Sequence, residues 1–104
     1  MFEPTKPRKS EVPAEQLPEQ MQNELWHMIF MRPHKGLPLS SPQRFNFFKN
    51  PNQTLSVVHS QSEPYFSDSV TAPYIQAYEH VPFPNRLYVY DTGEELIMTL
   101  EEKN

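Results

Sequence analysis

The apolar residues repeat with a period of about 3.6 before Gly36 and a period of 2 after it, so the chain has one helix to bury against strands. In "LPEQMQNELWHMIFM", Leu17, Met21, Leu25 and Met28/Ile29 fall on one helical stripe, with Trp26 and Phe30 beside it. Pro18 suits the first turn, where a missing N–H costs nothing, and Glu19 complements the helix dipole. Pro33 biases Arg32 away from helical dihedrals and Gly36 supports an exit turn, so the spacing predicts a helix over 18–31.

Beyond "GLPLSSPQ" the pattern alternates. "RFNFFK" sets Phe45 and Phe47 on one face, and "TLSVVHSQ" sets Leu55 and Val57 opposite Thr54, Ser56 and Val58. Between them "NPNQ" is a turn, rich in side chains that bond their own backbone. "TAPYIQAY" reads as a short edge strand, because Pro73 cannot donate to a central ladder, and "VPFPN" as a loop. "RLYVYD" and "ELIMTL" form a hairpin around Asp91-Thr92-Gly93-Glu94. The expected architecture is α+β, with one amphipathic helix packed on an antiparallel sheet of about four or five strands.

The opening "MFEPTKPRKSEVPAEQ" carries three prolines and mixed charge, and no aromatic follows Phe2. Residues 1–15 are therefore expected to form a flexible N-terminal arm and residues 16–104 a single α+β domain. The arm lacks the apolar stretch of a secretory signal, and no window approaches the roughly 18 apolar residues of a membrane span. Cysteine is absent, which removes disulfides, thiolate metal sites and cysteine nucleophiles and fits a cytoplasmic location.

The net charge of −4 is unevenly spread. Residues 1–49 hold seven Lys/Arg and five Glu, whereas residues 50–104 hold two Lys/Arg and eight Asp/Glu. The second half has too few cations to bind phosphates by counterion release, so direct nucleic-acid binding is not expected. Its acidic balance reads as a solvated face or as a surface that docks on a basic partner.

Several segments together resemble a family of small proteins from Gram-positive bacteria classified only as a domain of unknown function. The segments are an N-terminal "MF", the proline-initiated helix "LPEQMQNELWHMI" with its Leu-Trp pair, the "QRFNFF" strand, "VVHSQSEPYFSDSV" and "RLYVYDTGEELIMTLEE". Their order and spacing agree over most of the chain. Tyr65 directly follows Pro64 where the family pattern has a gap, and "EPTKPRK" stands where a strand is expected after "MF". The resemblance implies a cytoplasmic bacterial protein, sometimes carried on mobile elements, and supplies no catalytic residues.

In extended chain, His59, Gln61 and Glu63 continue the face of Leu55 and Val57. They read either as a polar site, with His59 as acid, base or ligand, or as the end of core packing, with His59 at its margin and Gln61 and Glu63 running into solvent. Glu79, His80 and Asp91 are the partners such a site could recruit. His27, His34, His59 and His80 have no paired ligand spacing, so no metal and no cofactor are expected. "DTG" at Asp91 sits in a tight hairpin and reads as a turn rather than half of a carboxylate dyad. Gly36 and Gly93 are too far apart for a phosphate-cradling loop, and no G-x-S-x-G supports a serine nucleophile. Catalytic residues are accordingly none. Tyr65, Phe66, Tyr74, Tyr78 and Phe83, in a Pro-rich segment, are the candidate partner-binding residues, with core or sheet cover as the plainer reading. The expected function is a non-enzymatic protein-binding or regulatory module. The alternatives are an acidic DNA-mimic inhibitor of a nucleic-acid enzyme, and an enzyme with a His59/Glu63 site.

Overall fold

A computed structural model gives the fold and describes residues 5–31, 37–73 and 83–102. Pro33, Gly36, Tyr74, Tyr78, Glu79 and His80 lie outside those residues. One helix, α1 (Glu19–Phe30), accompanies six strands: β1 (Arg8–Ser10), β2 (Gln43–Lys49), β3 (Thr54–Ser62), β4 (Tyr65–Pro73), β5 (Arg86–Asp91) and β6 (Leu96–Thr99). They form a single sheet in the order β1-β6-β5-β2-β3-β4. The class is α+β, as the period switch implies.

Pro18 precedes the helix at φ −53° and ψ 145°, and its carbonyl accepts from the Met21 and Gln22 amides. Leu25, Trp26, Met28 and Ile29 are buried, together with Leu17 just ahead of the helix. Removing such side chains from water contributes roughly 1.5–3 kcal/mol each, which holds α1 on the sheet. Gln22 is also buried, and its amide donates to the Val12 and Leu17 carbonyls, tying the helix to the chain that leads into it.

The β2–β3 hairpin closes as the Asn/Pro segment suggests. The Asn50 side chain donates to the Thr54 and Ser56 hydroxyls, and Gln53 takes φ 61°. In the β5–β6 turn Gly93 has φ +96°, a region that disfavours side chains, and its amide donates to Asp91.

The sheet has two more strands than the hairpin patterns give. β1 arises inside the segment expected to be a flexible arm and runs parallel to β6, so the sheet is mixed rather than wholly antiparallel. All three β1 side chains are exposed, so main-chain bonds are the chief tie of β1 to the β6 edge. Arg8 also stacks over Trp26 and Phe30, at 5.4 and 4.8 Å from the ring centroids. The other addition is β4, which begins at Tyr65 and Phe66 in the Pro-rich segment taken from the sequence as a candidate partner-binding region. Glu63 and Pro64 form a two-residue turn, and Tyr65–Pro73 then pairs along the whole of β3. The edge strand is therefore Tyr65–Pro73, which includes the first three residues of "TAPYIQAY", and the rest of that segment lies outside the described residues.

Alternation gives the sheet two unlike faces. The inner face carries Leu96 and Met98, Leu87 and Val89, Phe45 and Phe47, and Leu55 and Val57, which form one core with the helix. The outer face carries the residues between them.

Candidate functional site

The inner face turns polar at one end. Gln43 on β2 and His59 and Gln61 on β3 are each at most 1% exposed. Buried amides and imidazoles are costly unless bonded, and these three bond one another. Gln43 Nε2 donates to the Ser40 carbonyl and to Gln61 Oε1, both at 2.6 Å. Gln61 Oε1 also accepts from the Ser40 amide at 3.0 Å, while its Nε2 donates to the Pro38 and Pro64 carbonyls at 2.9 and 2.7 Å. These contacts fix both amide orientations, because a flip of either would set oxygen against oxygen. Gln43 Oε1 therefore faces His59 Nε2 at 2.5 Å as an acceptor, and the imidazole is the donor. The His59 ring stacks on its cross-strand neighbour Phe45 at 4.6 Å and 7°, and meets the edge of Phe66 at 5.2 Å and 82°. Among the described residues Nδ1, on the other side of the ring, has no hydrogen-bond partner.

The structure brings together two of the three residues singled out in this strand. His59 lies inside the core rather than at its margin. Gln61 is buried rather than solvent-bound, because the 38–40 segment crosses over it and supplies backbone partners. Glu63 is exposed in the β3–β4 turn, so His59 and Glu63 do not form a pair. Of the other carboxylates considered, Asp91 is held by Lys6 Nζ at 2.8 and 2.7 Å to its two oxygens. Burial alone would raise the Asp91 pKa, but the Lys6 ammonium and the Gly93 amide outweigh it and hold the carboxyl below its ordinary value. No group of three His, Asp or Glu among the described residues could hold a metal ion. Gln43 escaped the sequence reading, although the alternation that buries Phe45 and Phe47 also points Gln43 inward.

The candidate aromatics separate. Phe66 is buried against His59 and is unavailable to a partner. Phe83 is half-buried against the core, with Lys49 Nζ 5.1 Å from its ring centroid. Tyr65 is 72% exposed on the outer face, where Phe48 is 53% exposed. Tyr74 and Tyr78 lie outside the described residues.

The outer face differs from the rest of the chain in charge. Arg44, Arg86 and Lys9 point outward, while the two strand acids, Asp68 and Asp91, point inward. Among the described residues of a protein with 13 Asp/Glu, none stands at an outward strand position. Ser56, Ser60, Ser62, Ser67, Ser69 and Thr71 cover the β3–β4 half with hydroxyls, and Ser56 and Thr71 bond at 2.8 Å. Arg44 donates to Ser62 at 2.6 Å, next to Tyr65 across the β3–β4 pair. Beside it, Arg44, Asn46, Arg86, Tyr88 and Glu102 line a notch of about 250 Å³. Tyr88 donates to Glu102 at 3.1 Å and stacks on Tyr90 at 6.1 Å.

Comparison with known proteins agrees with this geometry as far as fold. A crystal structure of a protein of unknown function from Enterococcus faecalis is similar, with a TM-score of 0.75 over 94% of this chain and 92% of that one, at 20% identity. No curated protein matches. No described helix is long and apolar enough to cross a membrane. The model of a family described as staphylococcal protein of unknown function (DUF960) matches residues 10–103, and the chain belongs to that family.

Proposed function

We propose that this protein is a non-enzymatic protein-binding or regulatory module of the Gram-positive cytoplasm, whose partner docks on the outer face of the sheet. One observation carries the reading. In an acidic chain, this face bears Arg44, Arg86 and Lys9, no strand carboxylate, and the exposed rings of Tyr65 and Phe48. Arg and aromatic side chains are the residues that anchor protein interfaces. Strands β5, β2, β3 and β4 span about 19 Å by roughly 25 Å, or on the order of 500 Å², which is most of the roughly 800 Å² each partner contributes to a standard interface.

The two alternatives draw less support. An enzyme would need His59 and Glu63 in one cleft, whereas His59 is sequestered by Gln43 and Glu63 is exposed. A DNA mimic would need carboxylates in a row on one surface. Here Glu63, Glu94 and Glu95 lie in turns, Glu101 and Glu102 at the chain end, and Asp91 is engaged with Lys6.

The test introduces carboxylates into the outer face away from the arginines. Ser67 and Ser69 are exposed, so Ser67→Glu/Ser69→Glu leaves the fold intact. Captured proteins are compared quantitatively between wild type and this variant. Loss of specific partners in the variant supports the reading, and an unchanged set refutes it.

A further inference from the structure

Taking the outer face as the docking surface, as proposed above, we infer that the notch between Arg44 and Arg86 is a carboxylate-binding site that receives an acidic side chain from the partner, with Glu102 at its rim. The register sets the two arginines on adjacent strands: Arg44 pairs with Tyr88 and Asn46 with Arg86. Arg44 and Arg86 are therefore diagonal neighbours, with Cβ atoms about 7–8 Å apart. Two guanidinium groups at that spacing repel each other, and both can reach one carboxylate between them. Arg44 donates to the neutral Ser62 hydroxyl, and Arg86 has no hydrogen bond or ion pair among the described residues. Both cations thus retain donors for an anion. Asn46 adds an amide beside them, and the buried ring of Tyr88 walls the notch.

Glu102 stands at the rim of this site. It is exposed and near the chain end, yet it lies in the lining of the only described surface where two arginines converge, with its Oε2 bonded to Tyr88. The chemistry favours an acidic polypeptide segment over nucleic acid. Two clustered arginines neutralise about two phosphates, which supports only weak electrostatic binding. A peptide carboxylate needs one bidentate contact, and the flanking hydroxyls and Tyr65 can bond the peptide around it.

The experiment titrates the full chain, labelled with nitrogen-15, with hexaglutamate peptide, and in parallel with inorganic phosphate and a twelve-nucleotide oligothymidylate. Hexaglutamate is expected to shift the amide signals of Asn46, Arg86 and Tyr88 and their neighbours. Arg86→Gln, at an exposed position, is expected to weaken hexaglutamate about tenfold, and Arg44→Gln similarly. Glu102→Gln is expected to strengthen it about two- to fivefold by removing a like charge at the rim. The spectra report that each variant is folded. No shift in this patch, shifts unaffected by both arginine changes, or weaker binding after Glu102→Gln would each overturn the inference, as would preferential binding of the oligonucleotide or of phosphate. If hexaglutamate fails while Ser67→Glu/Ser69→Glu still abolishes capture, the outer face remains the docking surface and only the notch is wrong.

Discussion

Replacing Gln43 by leucine separates a structural polar cluster from a functional one. The change keeps the volume of a side chain that is 0% exposed and removes three hydrogen bonds: from His59, to Ser40 and to Gln61. Gln61 Oε1 retains the Ser40 amide, so its loss is partial. The His59 Nε2–H and the Ser40 carbonyl are left without their partner. An orphaned buried polar group costs about 1–3 kcal/mol, and the apolar surface gained offsets part of it, so Gln43→Leu should lose about 2–4 kcal/mol. His59→Phe retains a ring to stack on Phe45 and orphans the Gln43 oxygen, for a loss of about 1–2 kcal/mol. In the double variant no unpaired donor or acceptor remains between the two positions, so it should be more stable than the sum of the single losses by about 1–3 kcal/mol. Urea unfolding followed by the fluorescence of Trp26, the single and buried tryptophan, measures all three. Additive losses, or Gln43→Leu within 0.5 kcal/mol of wild type, would refute the reasoning.

Other expectations follow from the same structure. Leu25→Ala, at a side chain 2% exposed, should cost about 2–5 kcal/mol in the same assay, and a loss below 1 kcal/mol would mean that the helix stripe is not core. The Asp91 carboxyl is held below its ordinary pKa of 3.8, so the stability it contributes with Lys6 is present above that value and is lost as the pH falls through the lowered one. The pair is worth about 0.2–1 kcal/mol, so a gap of that size between wild type and Asp91→Asn in thermal unfolding near neutral pH should close in acid. Gly93→Ala meets no atom within 4 Å but must adopt φ +96°, and should destabilise by about 1 kcal/mol or more through the backbone alone. Glu63→Ala should change stability by less than about 0.5 kcal/mol, as for an exposed turn residue.

The parts of the fold legible in the sequence are those written in side-chain burial. The stripe from Leu17 to Ile29, with Pro18 before it, sets a helix at Glu19–Phe30. Alternation in "RFNFFK", "TLSVVHSQ", "RLYVYD" and "ELIMTL" sets four strands and their faces. β1 is held chiefly by main-chain bonds, with Arg8 stacked on Trp26 and Phe30, and all its side chains are exposed, so no apolar alternation marks it. β4 was hidden by Pro64, which occupies a two-residue turn ahead of it, and by the outward Ser67 and Ser69, which give no apolar alternation. The site was legible to a similar extent. Alternation placed His59 and Gln61 on the core side, but the burial of Gln61 depends on the 38–40 segment crossing above it, a tertiary event that strand periodicity cannot register. The diagonal approach of Arg44 and Arg86, 42 positions apart in the chain, likewise needs the β2–β5 register.

The central claim divides the molecule into an inner polar cluster that holds the fold and an outer face that meets a partner. Its most direct measurement compares the proteins captured by wild type, by the His59→Phe/Gln43→Leu double variant and by Ser67→Glu/Ser69→Glu, each shown to be folded. The account predicts that the core variant captures the same specific partners as wild type, while the outer-face variant loses them. Loss in the core variant together with retention in the outer-face variant would contradict it.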